Sequence, residues 1–285
     1  MLIIAFLFLT VLLGYGHAAA QVIHSVDNIG TCSGRLPCSA TIMEAVNAAV
    51  ALDAIEVFPG VYHESVTFAG KDHITLRAQA KARPPVIASL VMIVASPGTQ
   101  VLNLILEGGL DLFFSVDEIE GASPDVLIEG NLFPNGGMLL YSNQRGTVRN
   151  NTVLGYPGIR VRGGEGWLIE GNTVIGSGIV VSGFWDLGVQ NNTIRRNVVR
   201  GDGISLIAGL ALNGDNTLVT GNLVEANFVS GGTYHGIHIY GRPSSTNTIR
   251  QNTSIENVEC DIYDAFGAAR WSGNRFFTKC GSATN

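Results

Sequence analysis

A hexapeptide centred on asparagine recurs seven times in this chain and constrains its fold more than any other feature. It is Ile-Glu-Gly-Asn-Leu-Phe around Asn131, Val-Arg-Asn-Asn-Thr-Val around Asn151 and Ile-Glu-Gly-Asn-Thr-Val around Asn172. Related runs surround Asn192, Asn222, Asn252 and Asn274, at successive spacings of 20, 21, 20, 30, 30 and 22 residues. Helical repeats need about 33 residues or more, and the β-branched composition argues against leucine-rich repeats. A period of 20 to 22 residues with two insertions of about nine therefore reads as a coil of short strands.

A second pattern runs in step: Gly137-Met-Leu-Leu, Gly158-Ile-Arg-Val, Gly178-Ile-Val-Val, Gly203-Ile-Ser-Leu, Gly236-Ile-His-Ile and Asp261-Ile-Tyr-Asp. Each is a short strand opened by a turn. Alternation sends Ile159, Val161, Ile179, Val181, Ile204, Leu206, Ile237 and Ile239 to one side. In the asparagine-bearing unit, Ile128, Val148, Ile169, Val189, Val219 and Ile249 point the same way. No single coil buries such a set alone, so the coils stack.

These two units resemble the repeats of right-handed parallel β-helices of the pectin-lyase-like superfamily and its nitrous-oxide-accessory-like periplasmic members. The resemblance covers about residues 22 to 280. It implies an all-β solenoid from about residue 51 to 280, with Asn131, Asn151, Asn172, Asn192 and Asn222 stacked in one line. It also implies that Gly-Ile-x-Val is the first strand of each coil and that the loops before it overhang a groove. The segment 41–50 reads as a helix with Thr41 as N-cap and Glu44 at N3, with Ile42, Ala45, Val46 and Ala49 on one face. It is expected to cap the open N-terminal end.

Residues 1–20 read as a signal peptide, with an apolar run from Leu2 to Leu13 and the small residues Ala18, Ala19 and Ala20. The apolar run is too short to span a bilayer, so 21–285 is expected as one exported domain, secreted or periplasmic, without a membrane span. Export permits disulfides, and sequence-local pairing, Cys32 with Cys38 and Cys260 with Cys280, is the simplest of the three connectivities. A formal charge of −6, with only 3 Lys among 17 basic residues, leaves no Lys-rich face to neutralise a phosphate backbone, and no nucleic-acid partner is expected. No zinc spacing occurs, and neither a metal nor a cofactor is expected. Caps at both ends argue for a monomer.

The outward positions of the first strand run Asp111 and Phe113, Leu139 and Tyr141, Arg160 and Arg162, Val180 and Ser182, Ser205 and Ile207, His238 and Tyr240, then Tyr263. Rings beside cations suit a saccharide face, because sugar C–H groups pack on rings and guanidinium pairs with anionic sugars. The long segments 195–202 and 230–235 are expected to wall this groove, with Asp202 and His235 on the wall and Trp185 on a floor or rim. The outward positions of the other strand, Glu129, Arg149, Glu170, Gln190, Thr220 and Arg250, read as a structural charge ladder.

Glycoside hydrolysis usually needs two carboxylates ~5 to 9.5 Å apart, and no adjacent outward positions carry them. The resemblance places hydrolase, esterase and epimerase signatures in the superfamily, and this sequence lacks their carboxylate sets, including the Asp-Pro-His-Glu run of alginate epimerases. Two expectations remain. One is a β-helix that binds a polysaccharide or cell-surface glycan, or acts as a surface scaffold. The other is a lyase on a uronate polymer, with His235 or His238 as base, Tyr240 as acid, and Arg160, Arg162 or Arg200 holding the sugar carboxylate.

Overall fold

The computed structural model describes residues 21–113, 123–141, 145–183, 187–207, 218–241, 246–267 and 269–281. Among these residues, three long parallel sheets of twelve, nine and ten strands run side by side. Each coil visits them in the same order. Val126–Glu129 lies in sheet 1, Leu132–Phe133 in sheet 2 and Met138–Tyr141 in sheet 3, and the next coil repeats the path with Gly146–Arg149, Thr152–Val153 and Ile159–Arg162. The registers pair Ile128 with Val148, Phe133 with Val153 and Leu140 with Val161, so all three walls send apolar residues to one axis. Those residues are fully buried.

The glycine that opens each sheet 3 strand has a packing cause. A methyl group added at Gly137 would lie 2.6 Å from the carbonyl oxygen of Gly158, and one at Gly178 would lie 2.6 Å from that of Gly203. Neighbouring coils touch backbone to backbone at this corner, and any side chain would force them apart.

The turn between sheets 1 and 2 carries the asparagine ladder. Each buried Asn accepts from the backbone N–H and side-chain amide of the Asn one coil earlier, and its own amide donates to a carbonyl of sheet 1. The line runs Asn131, Asn151, Asn172, Asn197, Asn227, Asn252, Asn274. The side-chain links are 2.9 to 3.2 Å. Every buried amide is satisfied by its neighbour, a condition low polarity makes stringent.

This corrects the expected line in two places. Asn192 and Asn222 stand in a second ladder with Asn247, whose first member receives the N–H of Trp167. The cause is an extra strand. In the long coils the chain leaving sheet 3 forms Val189–Gln190 and Val219–Thr220, which pair with each other in a two-stranded sheet before the chain enters sheet 1. Their turns use the same device, a left-handed residue followed by a buried Asn, so the hexapeptide looks alike at both corners. The main ladder is carried instead by Ile-Arg-Arg-Asn197 and Val-Glu-Ala-Asn227.

The same shift removes Gln190 and Thr220 from the charge ladder. Its true members alternate without a break: Glu129, Arg149, Glu170, Arg195, Glu225, Arg250. Ion pairs link Arg149 to Glu129, Arg195 to Glu170 and Arg250 to Glu225, each within 2.9 Å.

Helix α1 (Ile42–Ala48) closes the N-terminal end as expected, with Thr41 and Glu44 forming a complete capping box and Ile42, Ala45, Val46 and Ala49 buried. Glu64 accepts from the N–H groups of Ile42 and Met43, and Lys71 donates to the carbonyls of Asn47 and Ala49 at the other end. Both charges suit the helix dipole. Cys32 pairs with Cys38 and Cys260 with Cys280. At the C-terminal end Trp271 takes the inward position above Ile249, and its indole N–H donates to the buried carboxylate of Asp264. Among the described residues no helix is long and apolar enough to cross a membrane.

Candidate functional site

Sheet 3 presents its outward residues in two columns parallel to the solenoid axis. One column runs Asp111, Leu139, Arg160, Val180, Ser205, His238, Tyr263. In it two long side chains, Arg160 and His238, are separated by two short ones, Val180 and Ser205. The missing volume leaves a depression of about 340 Å³, walled on the corner side by Tyr156, Pro157, Asp202, Tyr234 and His235. The site follows from one pattern, long-short-short-long, on four successive strands.

The depression joins four expected residues: Arg160, Asp202, His235 and His238. Arg162 and Tyr240 are not part of its lining. They belong to the second column, where Arg162 donates to the Tyr141 hydroxyl at 3.0 Å and Tyr240 packs edge-on against Phe266. Tyr263 acts from beneath: its ring stacks on His235 at 4.4 Å and meets His238 edge-on at 5.0 Å. Trp185 lies outside the described residues.

The expected walls are also corrected. Arg195 and Val198–Arg200 are not loop but strands of sheets 1 and 2, and only the short turns 201–202 and 231–234 border the depression. Hydrophobic alternation in such three-residue strands is too brief to separate them from a loop. The additional chain length of the two long coils lies mainly after sheet 3, in 183–192 and 208–222.

Tyr156 and Tyr234 also line the depression, and strand alternation does not single them out. Both are mostly exposed, at 73% and 63%. Each stands two residues before a strand-opening glycine, Gly158 and Gly236, so the signal was a matched position in two turns. The Arg160 guanidinium lies 5.8 Å from the centre of the Tyr156 ring.

Charge in the site is sparsely compensated. The Nε of Arg160, the Nδ1 of His235 and the Nε2 of His238 are buried without a hydrogen-bond partner. His235 places its Nε2 3.3 Å from Glu259. Burial, together with the neighbouring His235, pushes the pKa of His238 down to about 4 despite the opposing field of Asp264. His238 is thus neutral at neutral pH and offers a donor and an acceptor. Asp202 is exposed and accepts from the Thr233 hydroxyl. Lower on the same column, burial raises the carboxyl pKa of Asp111. No group of three or more His, Cys, Asp or Glu side chains suited to a metal ion occurs among the described residues.

The spacing of these groups limits their chemistry. Arg160 and His238 are three strands apart, about 14 Å between backbones at the usual strand separation. A carboxylate partner and a base acting on one sugar ring would have to converge more closely.

Sequence and structure comparisons agree on the architecture. The family described as the right-handed beta helix region matches residues 118–254. The A-module of a mannuronan C-5 epimerase from Azotobacter vinelandii superposes with a TM-score of 0.61 at 15% identity, over 81% of this chain and 69% of that one. A pectin methylesterase from Aspergillus niger is a more distant match, with a TM-score of 0.40 at 15% identity over 94% of this chain and 88% of its own. No curated protein matches at the sequence level. The chain folds as a right-handed parallel β-helix.

Proposed function

We propose that this is an exported glycan-binding β-helix whose depression on sheet 3 holds a short stretch of an acidic polysaccharide. The observation that carries the reading is the joining of one incompletely paired guanidinium, two exposed tyrosine rings and a neutral, partnerless imidazole edge around one open depression. Tyrosine rings take sugar faces, Arg160 takes a carboxylate, and His238 and Asp202 take hydroxyls. Export is supported by the apolar run at Leu2 to Leu13 and by two disulfides. That one solved structure of this fold is a mannuronan epimerase makes uronate polymers the first class to try.

Binding is favoured over β-elimination by the ~14 Å between Arg160 and His238 and by the low basicity of a histidine with a pKa near 4. Calorimetric titration with uronate-containing and neutral oligosaccharides tests this. The uronates should bind, and Arg160→Ala and His238→Ala should each weaken binding by about 1 to 3 kcal/mol without much change in Tm. Undiminished binding in both variants would move the site elsewhere. Ultraviolet-absorbing unsaturated products appearing during the titration would replace the binder with a lyase.

A further inference from the structure

The outer face of sheet 2 belongs to neither the charge ladder nor the depression. Its central column carries no charge: Val61, Val86, Ile105, Leu132, Thr152, Thr173, Val198, Phe228 and Thr253 share one line, with Thr152 at its midpoint, the fifth of nine strands among the described residues. Nine strands at the usual separation make this face about 40 Å long. Two rows of side chains over that length give of order 500 Å² per copy, at the lower limit of a specific interface when doubled. Leu154 and Ile175, in the neighbouring outward column, are 43% and 40% exposed.

The charges at the rim of this face specify what covers it. In that second column Glu107 stands two strands before the midpoint and Arg200 two strands after it. Neither forms an ion pair among the described residues. A two-fold axis lying along the central strand keeps each column facing itself and reverses the order of the coils. That operation sets Glu107 of one copy over Arg200 of the other, twice per pair, and sets Thr152 against itself. Packing the two solenoids with their axes parallel instead puts both charges opposite apolar residues.

We infer that the outer face of sheet 2 is a self-association surface, on which a second copy of this chain docks antiparallel about Thr152. The interface is isologous, its core made of uncharged residues, apolar with threonines among them, and its two rim contacts Glu107 with Arg200. Both copies then turn sheet 3 to the same side of the dimer, with the two depressions accessible. Capped ends, from which a monomer was expected, do not bear on this contact, because it is made by a side wall.

Sedimentation velocity of the purified chain across a concentration series is the direct test. A dimer should form at micromolar concentration. Glu107→Arg and Arg200→Glu should each raise its dissociation constant by about tenfold, and the double variant should return it close to the starting value. Thr152→Cys should give a disulfide-linked homodimer on oxidation, since all four native cysteines are already paired, whereas Ile105→Cys alone should not. A chain that stays monomeric at all concentrations overturns the inference. So does a dimer indifferent to both charge reversals, or one that cross-links through residue 105 and not 152. None of these variants lies in the depression, so glycan binding reads out separately.

Discussion

At His238 the structure converts position into chemistry through burial. An imidazole with a folded pKa near 4 and an ordinary value near 6.5 remains neutral in the native state while the unfolded chain takes up its proton. Between those pH values the unfolded state binds more protons, so stability falls as pH drops through the window, by at most about 1.4 kcal/mol per unit and less for a partly exposed ring. His238→Gln should flatten that slope, as measured by urea unfolding at pH 7 and pH 5. Identical slopes for the two proteins would place the ring in water. This pKa was not legible in the sequence. Alternation gives His238 an outward position, but the burial comes from Tyr263 and His235, one on the next strand and one ahead of Gly236. The converse holds for Arg160, whose role follows from its neighbours being the short Val180 and Ser205, information already present in four lines of repeat.

Short elements explain which parts of the fold could be read and which could not. Helix α1 announces itself locally, because Thr41, Glu44 and the apolar positions of one face are all within nine residues. The Cys32–Cys38 disulfide is equally local. Strands of two or three residues carry no such signature, and the extra pair at Val189–Gln190 and Val219–Thr220 imitates the main repeat because it ends in the same asparagine turn. Only the spacing of 30 residues hinted that two turns had entered one coil. The last coil depends on its staple. Among the described residues only Lys279–Gly281 stacks beyond its sheet 3 strand, and Trp271 and Asp264 sit at its core. Replacing Cys260 and Cys280 by serine removes a link across 20 residues, worth roughly 3 kcal/mol in the chain-entropy model. Hydrogen exchange should then rise over residues 269–281 while the coils before Asn222 keep their protection. Uniform loss of protection would mean that the end coil is part of one cooperative unit with the rest.

A solenoid is held together by contacts between successive coils, so whole coils are the natural units of removal. Deleting residues 151–171 takes out one coil between equivalent turns and brings Asn172 under Asn131. Deleting 131–171 takes out two coils and joins Gly130 to Asn172. Size alone favours the shorter deletion, since it keeps more buried surface. The sheet 1 ladder argues the other way. Removing one coil sets Arg149 directly beside Arg195, whereas removing two sets Glu129 beside Arg195 and preserves alternation. Like charges opposite each other on adjacent strands cost up to about 1 kcal/mol, and a regained pair contributes a similar amount. Both chains should fold cooperatively by circular dichroism, with a urea m-value that falls in proportion to the surface removed. The single-coil deletion should carry a penalty that exchanging the two charges, Glu129→Arg with Arg149→Glu, relieves by restoring alternation, whereas Arg149→Glu alone only moves the like-charge contact to Glu129. A single-coil deletion unaffected by the paired exchange at 129 and 149 would show that the outer ladder has no part in ordering the coils, and that the buried asparagines and the apolar axis set it alone.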